Sequence, residues 1–144
     1  MELNKLLRSV EMFVGLTDEE FTQLAGIFQQ RHLAEGEILF RQGDPGDSLC
    51  LIQQGFVEII AENNGHTKTL VNLGPGQSVG EMALIDRGTR SATVRAATED
   101  TIIAVVSRDS FEELCGHNTN IGYKVMRNIA ADLSFRIRRR GLDA

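Results

Sequence analysis

Ser78–Ala92 reads SVGEMALIDRGTRSA and follows the turn Gly74–Gln77, GPGQ. Gly80 permits a tight backbone approach. Glu81-Met82-Ala83-Leu84 are good helix formers, sufficient for a single helical turn. The first amides of such a turn lack an intrahelical acceptor and make an anion site. Asp86 to Thr89 form a short return loop, Arg90 follows, and Ser91-Ala92 enter the next strand. An amide-rich turn and a guanidinium joined by a short loop can clamp one phosphate from two sides. The same spacing also fits a plain turn with a surface ion pair. Glu81 is the odd member. A carboxylate repels a phosphate, so if it faces a ligand it must accept from a neutral donor, and a sugar hydroxyl meets that requirement.

Outward from this stretch the chain has the texture of a β protein. Between Arg31 and Ser107, short apolar runs alternate with Gly, Asn, Asp and Pro. Candidate strands are Glu37–Arg41, Leu49–Gln53, Phe56–Ala61, Thr69–Leu73, Ala92–Ala96 and Ile102–Val106. Asn64-Gly65 is a strong hairpin signal, and both prolines, Pro45 and Pro75, fall in turns. Closely spaced short strands point to a sandwich or barrel rather than a parallel sheet.

Helical periodicity flanks this region. Leu3, Leu6, Leu7 and Val10 recur at helical spacing. Thr17 and Glu20 form a capping box, with Leu16 and Phe21 as its hydrophobic staple, predicting a helix over 18–29. Asp109 and Glu112 have capping-box spacing before Phe111 and Leu114. His117–Asn120 reads as a loop, and Ile121, Val125, Ile129 and Leu133 mark a longer helix to about Arg140. That stripe is wide enough to pack on the body and also to face a partner helix.

The 144 residues, 42% hydrophobic and 24% charged, suit one soluble domain. No apolar run approaches the roughly 18 residues of a membrane span. The N-terminus lacks the apolar core of a secretory signal. Cys50 and Cys115 make no CxxC pair, so neither a disulfide scaffold nor a zinc site is indicated, and a reduced, cytoplasmic setting is expected. Residues 1–123 carry 9 Lys/Arg against 18 Asp/Glu, and residues 124–144 carry 6 against 2. An acidic body disfavours DNA as the main partner, because DNA binding is largely phosphate neutralisation. There is no GxSxG, HExxH or Walker motif. His32, His66 and His117 lie in separate contexts, and Cys50 reads as a buried hydrophobe. No enzyme and no metal cofactor is expected.

The cassette Gly80, Glu81, Ala83, Leu84, Arg90 and Ala92 resembles the phosphate-binding cassette of cyclic nucleotide-binding domains. These occur in catabolite-activator-type regulators, regulatory subunits of cyclic-nucleotide-dependent kinases and cyclic-nucleotide-gated channels. The resemblance extends to Phe40-Arg41-Gln42-Gly43-Asp44, Gly46-Asp47, Gly55, Gly74 and Gly76, and covers about residues 10–140. It implies a mainly β fold with flanking helices: an antiparallel double-stranded β-helix, a jelly-roll-like β-roll of eight strands, with N-terminal helices and two C-terminal helices. One domain would span 1–144, with helices over 1–30, the roll over 31–107 and helices over 108–144.

The resemblance further implies that Arg90 pairs with a cyclic phosphate and Glu81 accepts from the ribose 2′-hydroxyl. Amides near Gly80, Met82, Ala83 and Ala92 would cradle the phosphate, and Ser91 would add a hydroxyl. Val79 stands where many members have Phe. Ser91 leans toward cAMP, with cGMP second. Val71 and Leu73 could touch the base, and Arg136 could stack on it, although the arginines near the C-terminus also suit the helix dipole. The expected function is a cAMP sensor that signals through its C-terminal helix. With no output segment after Ala144, its effector is expected to be a separate, unknown protein. A homodimer through that helix is possible; DNA and membrane are not expected partners. The same fold could also serve as an interaction module that binds no nucleotide.

Overall fold

A computed structural model describes residues 1–141; the last three positions of the expected 108–144 segment lie outside the described residues. Helix α1 spans Leu3–Ser9, a 3-10 turn follows at Glu11–Phe13, and α2 spans Asp18–Ala25. The expected capping box forms: Thr17 Oγ1 accepts from the Glu20 amide at 3.1 Å, and Glu20 Oε1 accepts from the Thr17 amide at 2.9 Å. Its staple residues Leu16 and Phe21 are buried. The helix ends at Ala25, short of the expected 29, and strand β1 begins at Gln29.

Eight strands follow: β1 Gln29–Leu33, β2 Ile38–Phe40, β3 Ser48–Gln54, β4 Val57–Asn63, β5 His66–Leu73, β6 Ser78–Val79, β7 Thr93–Ala96 and β8 Thr101–Ser107. All pairings are antiparallel, in two sheets of order β1-β8-β3-β6 and β2-β7-β4-β5. The architecture is the expected β-roll, two facing sheets without a closed barrel. The Asn64-Gly65 hairpin joins β4 to β5 with Asn63 opposite His66, and both turn residues have positive φ, 52° and 80°, as a two-residue hairpin turn requires. The sequence reading missed β1 and β6. Strand β1 reads QQRHL and buries only Leu33, so it carries no alternation. Strand β6 is two residues long, too short for any period.

Strands β3 and β8 also lack alternation, for the opposite reason. Leu49 and Leu51 of β3, with Ala104 and Val106 of β8, join the cluster formed with the helices. Cys50 and Ile52, with Ile103, join a second cluster between the sheets, with Val57, Val79 and Val94. A strand covered on both faces reads as a continuous apolar run. The sheet containing β3 and β8 is therefore the middle layer of the molecule.

Helix α3 spans Arg108–His117 and α4 spans Thr119–Arg139. Ser107, not Asp109, is the N-cap of α3, accepting from the Ser110 amide at 3.1 Å. The expected loop between the helices shrinks to Asn118, whose side chain caps α4. Helix α4 is anchored along its first half. Ile121, Val125 and Ile129 are buried, Lys124 Nζ lies 2.7 Å from Glu20 Oε1, and Asn128 Nδ2 donates to the carbonyls of Met12 and Val14. Beyond Ile129 no residue of the helix is buried, and Phe135 and Ile137 are exposed.

Candidate functional site

The stretch Ser78–Ala92 forms one wall of a cavity of about 480 Å³, faced by Phe40 and Ile59 of the opposite sheet and by Arg136 of α4. Gly80 sits at φ 85°, ψ 27°, and turns the chain from β6 into a single 3-10 turn, Glu81–Leu84. That conformation is left-handed and favours glycine. Space demands it as well: a β-carbon at Gly80 would clash with Arg90 Nη1 and lie 2.9 Å from the Ser48 carbonyl. Within the turn the Ala83 amide donates to the Gly80 carbonyl at 2.9 Å. The amides of Glu81 and Met82 have no acceptor among the described residues, as befits the first donors of a short helical turn.

Arg90 is buried, with 7% of its surface exposed. Its Nη2 donates to the Ser48 carbonyl at 2.9 Å and to Ser48 Oγ at 3.0 Å. The guanidinium carbon stacks over the Phe40 ring, 4.0 Å from its centroid. Among the described residues its Nε has no partner and no carboxylate pairs with it. A buried cation without a counter-charge is expensive, so this geometry is suited to an anion supplied from outside.

The return loop is pinned to the β2–β3 turn. The Gly46 amide donates to the Gly88 carbonyl at 3.0 Å, the Arg90 amide to the Asp44 carbonyl at 2.8 Å, and the Gly43 amide to the Arg90 carbonyl at 2.9 Å. Arg108 Nη1 reaches the carbonyls of Gly46 at 3.0 Å, Ala83 at 3.3 Å and Asp86 at 3.0 Å. Behind Arg90, Cys50 is buried, and desolvation pushes its thiol up against the opposing pull of Arg90. That environment suits a packing residue and not a nucleophile.

Of the expected site residues, Val79, Gly80, Glu81, Met82, Ala83, Arg90, Ser91, Ala92 and Arg136 line this cavity. Val71 and Leu73 do not. Leu73 lines an adjoining cavity of about 370 Å³, which shares Ser78, Glu81, Met82 and Arg136 with the first. Val71 lines neither and is 47% exposed on edge strand β5. The Ala83 amide, expected in the phosphate cradle, is already bonded within its own turn. Arg136 is tied to Asp132 at 2.8 Å, with both side chains substantially exposed. Phe40 appeared in the sequence as part of a strand-turn signature, with nothing to place its ring over Arg90. Ser48 and Arg108 carried no signal, because their partners are carbonyls and a guanidinium brought close only by folding.

Comparison with known proteins places the fold in a family. The chain is 34% identical to the cyclic AMP receptor protein of Thermus thermophilus across 95% of its own length and 62% of the receptor's. It is 33% identical to cGMP-dependent protein kinase, isozyme 1, of Drosophila melanogaster across 76% of its length and 15% of the kinase's. It thus spans less than two thirds of either relative. The crystal structure of the N-terminal domain of a transcriptional regulator from Streptomyces coelicolor superimposes with a TM-score of 0.86 at 28% identity, over 96% of both chains. The family model described as the cyclic nucleotide-binding domain matches residues 30–118, which holds the whole roll from β2 onward, the Ser78–Ala92 turn and Arg90. With that match, the chain belongs to the cyclic nucleotide-binding domain family.

Proposed function

We propose that this protein is a regulatory module that binds cAMP in the cavity beside Arg90 and signals through its C-terminal helix. The observation that carries the reading is the buried, uncompensated guanidinium of Arg90 facing the open amides of Glu81 and Met82. A cyclic phosphate supplies the missing charge, and ion–dipole contacts to the amides add to it. Glu81, in the same cavity wall, accepts from the ribose 2′-hydroxyl. Val79, Ala83 and Ala92 shape the wall, and Ser91 offers a hydroxyl beside the phosphate. The leaning toward cAMP rests on Ser91 and on the likeness to a cyclic AMP receptor protein; cGMP is the second ligand to test.

Binding favours the conformation in which the outer half of α4, carrying Arg136, closes over the base. Closure also brings the exposed Phe135 and Ile137 to a new position, where an effector protein or a second copy reads the state. The module is non-catalytic, acts in the cytoplasm and does not itself contact DNA. Calorimetry with cAMP and with cGMP tests the reading. Saturable heat with cAMP at micromolar concentration, weaker with cGMP, supports it. No heat from either ligand at millimolar concentration sinks it in favour of an interaction module.

A further inference from the structure

We propose that Arg108 is the positioning residue of the phosphate turn, holding it in shape from outside the cavity and tying it to the C-terminal helices. Arg108 opens α3 and does not line the cavity. One of its nitrogens serves three carbonyls, those of Gly46, Ala83 and Asp86. Two of these belong to the phosphate turn and its exit, and the third to the β2–β3 turn. The backbone amide of Arg108 donates to the Asp47 carbonyl at 2.8 Å. Side chain and backbone of one residue therefore join three segments that are remote in sequence.

The chemistry favours a positioning role over simple stability. An NH2 group has two hydrogens, so three acceptors must share them, while the buried Nε of the same guanidinium has no acceptor among the described residues. Among the described residues no carboxylate neutralises the charge. What the arginine achieves is direction. Drawing the Ala83 and Asp86 carbonyls toward α3 fixes the Ala83–Leu84 and Asp86–Arg87 peptide planes, and so anchors the far end of the turn whose first residues, Glu81 and Met82, carry the open amides. Since α3 packs on both the turn and α4, the same contact makes the shape of the anion site depend on where the C-terminal helices sit.

The inference takes its ligand from the nucleotide reading above, so its test includes a measurement made without nucleotide. Arg108→Ala and Arg108→Lys are compared with the wild-type chain by amide hydrogen exchange in the free protein and by cAMP calorimetry. In Arg108→Ala the amides of Ala83, Ile85 and Asp86 should exchange about tenfold faster or more, while the β3–β8 ladder keeps its protection, and cAMP affinity should fall about tenfold or more. Arg108→Lys, which keeps the charge without the fork, should fall between. If Arg108→Ala does not fold, the lysine variant must still show the local loosening. Unchanged exchange in the turn, or equal loss of protection throughout the molecule, overturns the proposal. A wild-type protein that binds no cyclic nucleotide would defeat the functional reading alone, and the exchange result would still decide the role of Arg108.

Discussion

Gly80 and Arg90 meet so closely that a single added carbon on the glycine would clash with the arginine's Nη1. The turn that offers amides and the guanidinium that offers charge are thus one packed unit. Substituting Gly80 by alanine combines a left-handed backbone with that overlap. The conformation alone costs about 1–2 kcal/mol for a residue with a β-carbon. We expect Gly80→Ala to lower the unfolding free energy by at least this much in urea titration. Displacement of Arg90 should also weaken cAMP binding by a larger factor than the loss of stability explains.

Arg90 is held on one side by Ser48 and on its flat face by Phe40. A cation–π contact is worth about 0.5–1 kcal/mol when exposed and about 2 kcal/mol when desolvated. Phe40→Leu keeps apolar bulk but removes the ring quadrupole. Its expected effect is a loss of roughly tenfold in cAMP affinity, measured by calorimetry. An unchanged affinity would show that Ser48 alone orients the guanidinium.

Lys124 and Glu20 tie α4 to α2. The lysine hydrogen bond, helped by the Thr17 amide, holds the Glu20 carboxyl below its usual range despite burial, which pushes the other way. A depressed carboxylate contributes stability above its unfolded pKa and loses it as pH falls through the lowered folded value. Lys124→Met should therefore be less stable than wild type at neutral pH. The gap should narrow in acid below the ordinary carboxylate range, as followed by urea unfolding at a series of pH values.

Asp132 holds Arg136 in an exposed pair one helical turn apart. Such pairs contribute about 0.3–0.5 kcal/mol. Releasing Arg136 with Asp132→Asn should raise cAMP affinity by no more than about twofold, if Arg136 covers the bound base. A fall in affinity would show that Asp132 itself serves the ligand.

Much of what depends on near neighbours in the chain was readable from the residues, although the cap of α3 fell on Ser107 and α2 stopped at Ala25. The Thr17–Glu20 box, the Asn64-Gly65 hairpin, the glycine that enters the phosphate turn and the amphipathic stripe of α4 are each set by side chains within a few positions. The continuous apolar runs of β3 and β8 announced strands without revealing that both of their faces are covered. Strand β1, almost wholly exposed, and β6, two residues long, left no pattern, since their existence depends on the strands they pair with.

The site divides along the same line. The turn, the loop and Arg90 stood together in one stretch of fifteen residues, 78–92, so the family resemblance and the candidate phosphate clamp could both be read there. The state of that arginine could not. Ser48 lies 42 positions before it, Phe40 comes from the other sheet, and Arg108 arrives from a helix beyond the roll. Local sequence governs which dihedral angles and hydrogen bonds a short segment can adopt. Burial, stacking and the lack of a carboxylate partner among the described residues arise only when sheets close on each other, and it is these that make Arg90 a candidate for binding an anion.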